Sequence, residues 1–268
     1  MPASPDSVNS SLPEGRRQRM LELVRKRKSI TTAELVNELA SSAATVRRDM
    51  AILEDLNLLK RSHGGAIALE SGKAQYDQYS AEYEPVFQEK MTLSRDAKER
   101  IAQAAAKLVE DGATILLDSG TTALALAQKL AGRRITVIAV DLKVAEAAAH
   151  SQTEVLIVGG RVRQGLFSVV GPWTDAALEA LAVDMFFLGA DAISEQGVTN
   201  SALDEARVKS LAIHCAKRCV VIADHSKFNQ RRLAPVCTLD QIDVLVTDDA
   251  TRSMLQPYES KFKAVIYA

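Results

Sequence analysis

Cysteine is scarce in this 268-residue chain: Cys215, Cys219 and Cys237 are the whole set. An odd, sparse number excludes a disulfide framework. With no export signal in the Ser- and Pro-rich stretch Met1–Leu12, it predicts a reducing, cytoplasmic setting. No apolar run approaches the roughly 20 residues that span a bilayer, so no membrane partner is expected. Nor is there an excess of positive charge. The net charge of −1 excludes a uniformly basic nucleic-acid coat. No Gly-x-Gly-x-x-Gly follows an opening strand, which argues against a dinucleotide site. His214, Cys215 and Cys219 lack the spacing of a zinc site. Neither a cofactor nor a metal is expected.

What remains is an ordinary soluble composition, 47% hydrophobic and 25% charged, in a chain long enough for a small domain plus a medium one. The charge is unevenly spread. Residues 1–69 carry 11 Lys and Arg against 8 Asp and Glu, a balance of +3 that leaves −4 for the rest. That is the sign expected of a DNA-binding end on an acidic body.

The basic end is organised around Ser42-Ala-Ala-Thr-Val-Arg-Arg-Asp-Met50. Val46, Met50 and Leu53, with Ala43 one turn earlier, fall on one helical face. Ala44, Thr45, Arg47 and Arg48 fall on the other. Small side chains let a helix lie deep in a major groove, and arginine forks bond guanine edges or phosphates. Before it, Arg16–Lys28 reads as an amphipathic helix ending in the basic run Arg25-Lys-Arg-Lys28. Thr31-Thr-Ala-Glu34 is a capping box opening a second helix through Ala40. Ser42 is placed to cap the third helix, which runs to about Leu56 with Asn57 at its end. Leu58–Leu69 then holds two short apolar strands around Gly64-Gly65, a hairpin signature. Three helices and a hairpin make a winged helix-turn-helix, whose wing brings Lys60, Arg61 and His63 towards the DNA backbone.

From Ser94 the pattern becomes helices alternating with short apolar strands. Helices are expected over 94–110, 122–131, 142–150, 173–181 and 204–216. Strands are expected at 114–117, 136–139, 155–158, 185–188, 220–223, 244–247 and 264–267. Continuous apolar strands between helices predict an α/β domain with a mostly parallel sheet covered on both faces. Ligands of such sheets bind beyond the carboxyl ends of the strands. There the chain carries Asp118-Ser119-Gly120-Thr121-Thr122, suited to a phosphate at a helix start. It also carries Gly159-Gly-Arg161-Val-Arg163, Gly189-Ala-Asp191 with the later Asp204-Glu205, and Asp224-His-Ser-Lys227. The expected organisation is a tail (1–13), a DNA-binding domain (14–70), a linker (71–93) and an effector and oligomerisation domain (94–268).

Residues 16–69 resemble the N-terminal domain of DeoR-type bacterial transcriptional repressors. The resemblance rests on the Arg-rich first helix, the Ser-x-x-Thr-Val-Arg-x-Asp segment from Ser42 to Asp49, and the Arg-x-His-Gly-Gly-Ala wing from Arg61 to Ala66. It implies that Thr45, Arg47 and Arg48 contact operator DNA, with Asp49 bracing an arginine. The remainder resembles the effector domain of the same family and, more distantly, ribose 5-phosphate isomerase. Phe187–Ile193, Asp204–Arg207 and Ser226–Asn229 look closest to the branch sensing N-acetylgalactosamine and related amino-sugar phosphates. The resemblance implies a repressor of a carbohydrate operon, acting as a homodimer or homotetramer and released by a sugar phosphate. Asp118, Ser119, Gly120, Thr121, Thr122, Arg161, Asp191, Glu205 and Lys227 are its expected effector contacts. The rival is a sugar-phosphate isomerase fused to a DNA-binding module. Against it, the isomerase pattern has a second acid after Gly-Ala-Asp where this chain has Ala192. It also has a lysine before the glutamate, and no lysine lies between Asp191 and Glu205.

Overall fold

The computed structural model describes residues 13–55, 59–62, 64–67 and 87–268. They fall into two compact units. The first holds the elements up to the wing together with Gln88–Leu93, and the second holds Phe87 and everything from Ser94 on.

In the first unit, α1 (Pro13–Arg27), α2 (Thr32–Glu38) and α3 (Ala43–Asp55) are followed by β2 (Lys60–Ser62) and β3 (Gly65–Ile67). The capping box on α2 is present: Glu34 N donates to Thr31 Oγ1 at 3.2 Å, and Thr31 N donates to Glu34 at 2.8 Å. This helix ends at Glu38, before the expected Ala40, which sits at φ 46°. Ser42 Oγ accepts from Thr45 N at 3.2 Å at the start of α3. Met20, Val24, Leu35, Val46, Met50 and Leu53 form one buried core, whereas Ala43 is exposed. One strand was not foreseen. β1 (Ser29–Thr31) pairs with β3, giving a three-stranded antiparallel sheet in the order β1-β3-β2. Three residues are too few to show an alternating pattern. Gly65 is required at that crossing, since a Cβ there would stand 2.2 Å from the Ile30 carbonyl oxygen. Asn57 and His63 lie outside the described residues, as does most of the expected linker.

α4 (Phe87–Thr92) counts, but for Phe87, with the first unit, and the second unit continues with α5 (Arg95–Ala106). Seven strands follow in one sheet: β4 (Thr114–Leu117), β5 (Thr136–Ala139), β6 (Glu154–Ile157), β9 (Val183–Gly189), β12 (Ala216–Ile222), β14 (Val244–Thr247) and β15 (Val265–Tyr267). Their order is β15-β14-β12-β9-β4-β5-β6, and every pair is parallel. Alternate residues feed two cores. Leu116, Leu188, Val221 and Leu245 face one side with α8 (Pro172–Glu179), α9 (Leu203–Cys215) and α10 (Arg252–Leu255). Ile115, Leu117, Phe187, Val220 and Val246 face the other with α5, α6 (Thr121–Leu130) and α7 (Leu142–Ala148). Burial on both faces explains the unbroken apolar runs at the centre of the sheet. The edge strand β6 is largely exposed, with Leu156 and Ile157 open on it, so the expected cover on both faces does not reach that edge.

Two smaller assemblies escape the helix–strand alternation. β7 (Arg161–Val162) and β8 (Val169–Val170) form an antiparallel ribbon. β10 (Ala192–Ser194), β11 (Gly197–Asn200) and β13 (Ala234–Cys237) form a separate antiparallel sheet. The sheet order also places the ligand-binding crevice. From β4 the chain steps outward to β5 and β6, then returns to the other side of β4 with β9 and continues to β15. The order reverses between β4 and β9, and a topological switch point opens a crevice at the carboxyl ends of its strands.

Candidate functional site

Each unit presents one candidate surface. In the first, α3 is held in place from beneath. Asp49 is 3% exposed and takes the Arg16 Nε of α1 at 2.6 Å, so it braces an arginine and does not face outward. The opposite face stays open. Arg47 and Arg61 line a groove of about 630 Å³ between α2, α3 and the wing. Thr45 and Arg48 line a second one, of about 800 Å³, beside Arg16 and Arg17. The two neighbouring arginines thus flank α3 on opposite sides. Lys60 and Arg61 are exposed on β2, where Arg61 N donates to Glu54 Oε1 at 2.8 Å and ties the wing to α3. Arg27, from the basic run on α1, is engaged by Glu34 and Glu38.

In the second unit the loops of β4 and β9 meet at the switch point. Asp118, 1% exposed, ends β4. Its Oδ2 accepts from Gly189 N at 2.8 Å and from the Lys209 ammonium. Lys209 Nζ also reaches the Gly189 carbonyl at 3.2 Å, pinning the two loops together. Burial alone would lower the Lys209 pKa, but Asp118 and Glu205 outweigh it and raise it, so the ammonium stays charged. Lys209 was not singled out in the sequence. It lies one helical turn beyond Glu205 on α9, a spacing that ordinarily reads as a surface pair.

Glu205 is the second hub. Its Oε2 accepts from Arg163 Nη1 at 2.9 Å and Asn200 Nδ2 at 2.8 Å, and its Oε1 from Ser119 Oγ at 3.0 Å. Of the two arginines in the ribbon, Arg163 is the buried one. Arg161 points outward and pairs with Asp204 at 2.7 Å. Between these hubs α6 begins at Gly120, whose φ of 102° suits glycine. Gly120 has no side chain to cap that helix. Thr121 is buried, and Ser119, Gly120 and Thr122 are half-buried beside it. Asp191 accepts from Ser201 N at 3.0 Å.

Along the same sheet edge, Asp224 follows β12 and accepts from Ser226 N at 3.0 Å. Burial would raise its carboxyl, yet the Ser226 hydrogen bonds and the charges of Lys227 and Lys98 hold it below the ordinary value. Lys98, a buried lysine on α5, is a second cation that the sequence did not reveal. Asp141 follows β5 and caps α7 through Oδ1, which accepts from Lys143 N at 2.7 Å and Val144 N at 3.0 Å. Among the described residues, no group of His, Cys, Asp and Glu could hold a metal ion, and no helix is long and apolar enough to cross a membrane.

A family model described as a DeoR-like helix-turn-helix domain matches residues 16–72, and one described as the DeoR C terminal sensor domain matches residues 93–249. The chain belongs to the DeoR family. It is a DNA-binding transcriptional regulator with a sensor domain. This DeoR-family chain is 32% identical over 241 residues to the HTH-type transcriptional regulator GlpR of Haloferax volcanii, covering 88% of itself and 90% of that protein. It is 32% identical to a putative aga operon transcriptional repressor of Escherichia coli O157:H7, covering 87% of itself and 86% of the relative. Against the lactose phosphotransferase system repressor of Staphylococcus aureus the identity is 33%, over 85% of this chain and 88% of the other. Among solved structures, ribose 5-phosphate isomerase A from Methanocaldococcus jannaschii aligns with 50% of this chain and 54% of its own at 22% identity, with a TM-score of 0.38.

Proposed function

We propose that this regulator represses a carbohydrate-utilisation operon and leaves its operator when a phosphorylated sugar binds the sensor domain. The uncapped start of α6, set at the switch point of the sheet, carries this reading. Backbone N–H groups and a helix dipole favour an anion there, with the hydroxyls of Ser119, Thr121 and Thr122 as further donors. Lys227 supplies charge from the neighbouring loop and Asp191 an acceptor for a sugar hydroxyl, while Asp118 and Glu205 brace the loops that frame the site. Arg161 serves the rim. On the DNA side, Ser42, Thr45, Arg47 and Arg48 would address the major groove, and Lys60, Arg61 and His63 the backbone beside it. One winged helix reads few base pairs, so useful specificity calls for at least a dimer on repeated half-sites. The proposed division is a tail to residue 13, a DNA-binding domain over 14–70, a linker over 71–93, and an effector and oligomerisation domain from 94.

Turnover of the sugar is disfavoured by the state of Glu205. An isomerase needs a carboxylate able to take a proton from carbon, and here both oxygens already accept from Ser119, Arg163 and Asn200. The deciding experiment is a thermal-shift screen of sugar phosphates, since a native-state ligand raises stability. Footprinting on a selected operator, with and without each hit, follows it. Lys227→Ala and Thr121→Ala should keep DNA binding and lose induction. Normal induction in either variant would show that the effector lies elsewhere, and isomerised product would revive the enzyme reading.

A further inference from the structure

The turn that joins β7 to β8 touches the sensor site through Arg163 and, through Phe167, a point where the chain passes between the two units. We propose that it couples effector occupancy to the segment arriving from the DNA-binding unit, through the links Ser119–Glu205–Arg163–Phe167–Phe87. This rests on the sugar-phosphate reading of the site.

At the inner end, Arg163 is 6% exposed and bound to Glu205, whose other oxygen holds Ser119 of the proposed phosphate loop. A ligand that competes for Ser119 or Glu205 therefore acts directly on Arg163. At the outer end, the N–H groups of Leu166 and Phe167 both donate to the Arg163 carbonyl, at 3.3 and 3.0 Å. Arg163 and the tip consequently form one tight turn. Phe167 sits at φ 68°, a left-handed conformation that costs a bulky residue energy and persists only where its surroundings impose it. Those surroundings are Phe87 and α7. The Phe167 ring meets Phe87 edge to face with centroids 5.4 Å apart. Phe87 N donates to the Gly165 carbonyl at 3.0 Å, and Leu142 N to the Phe167 carbonyl at 3.1 Å.

Phe87 is where the chain passes between units, because it counts with the sensor while Gln88–Leu93 count with the first unit. A shift of the tip must therefore alter the geometry of the peptide that joins them. The outer pair Arg161–Asp204 is more exposed and does not involve the Glu205 carboxylate, and it keeps the base of the ribbon on α9 while the tip responds. The coupling needs two arrangements of one element, both ligands biasing the same equilibrium.

The test uses the full-length protein, a duplex selected by the wild type from random DNA, and four probes: galactose 6-phosphate, N-acetylgalactosamine 6-phosphate, ribose 5-phosphate and inorganic phosphate. Wild type is measured first. If none of the probes binds it or weakens its operator affinity, the sugar-phosphate reading fails and the coupling fails with it. Once a probe gives a shift, for which about 5- to 150-fold is typical, Phe167→Ala and Phe87→Ala are compared. Each variant should bind duplex and probe separately within about twofold of wild type, while the probe-induced shift collapses towards unity. Phe167→Leu, which keeps the bulk, should lose only part of it. A full shift in Phe167→Ala overturns the proposal and leaves the sensor reading standing. Hydrogen exchange at the Phe87 amide of wild type gives a readout independent of folding defects. Its rate should change on probe binding, and an unchanged rate also overturns the coupling.

Discussion

Asp141 is wholly buried at the N-terminus of α7, and only one of its oxygens is satisfied: Oδ2 has no hydrogen-bond partner. Burial, reinforced by the nearby Asp118, pushes its carboxyl up from 3.8 to about 6, against the pull of its capping hydrogen bonds. At about 1.4 kcal/mol per pH unit, the neutral form is favoured by about 3 kcal/mol relative to the unfolded chain. The sign follows from linkage. A carboxyl raised on folding contributes stability that is fully present below 3.8 and lost as pH rises through about 6. Asp141→Asn keeps an oxygen that can cap α7 and removes the ionisation. The variant should gain on wild type by about 2–3 kcal/mol between pH 4 and pH 7, with little further change above that. Urea unfolding followed by far-ultraviolet circular dichroism measures this, because α7 and most of the other described helices lie in the same unit. Taking the difference between the two proteins cancels the titrating groups that do not interact with Asp141. A difference that stays flat across this range, or that favours wild type as pH rises, would show that Asp141 is an ordinary ionised cap and refute the argument.

Three further outcomes are expected. Lys209→Met strands the Asp118 carboxylate in a dry site, which should cost about 3–5 kcal/mol in urea unfolding. Adding Asp118→Asn should recover part of that loss. Arg47→Ala should lower operator affinity by about 1–3 kcal/mol if its fork reads a base, and an equal loss on all sequences would assign it to phosphate. Gly65→Ala drives a Cβ against the Ile30 carbonyl, so it should displace the wing and weaken DNA binding while leaving the sensor unit's own unfolding transition unchanged.

The sequence was most legible where a single local rule decides the structure. β4, β5 and β14 match their expected residues because both faces are buried and each reads as an unbroken apolar run. The Thr31–Glu34 capping box needs only its own spacing. Sheet order is different, since nothing in β9 says that it will lie against β4, and the switch point depends on that pairing alone. The ribbon arginines show the same limit inside the site. Arg161 and Arg163 are alike in sequence, and only the turn around Phe167 brings the second towards Glu205 and leaves the first outside. Lys209 was hidden in another way. Its i, i+4 relation to Glu205 suggests a hydrogen-bonded pair between the two, yet Lys209 bonds Asp118 and Gly189 while Glu205 bonds Ser119, Arg163 and Asn200.

The sheet order also fixes when the sensor can exist during synthesis. The residues at its edge come from five separate strand ends, at Asp118, Asp141, Gly189, Asp224 and Asp248, and β9 and β12 must be made before the first and fourth are brought together. The winged helix draws on a short run of local contacts near the start of the chain. Such contacts form quickly, and N-terminal domains fold first as a chain emerges. A newly made molecule thus has a folded winged helix before its sensor site exists.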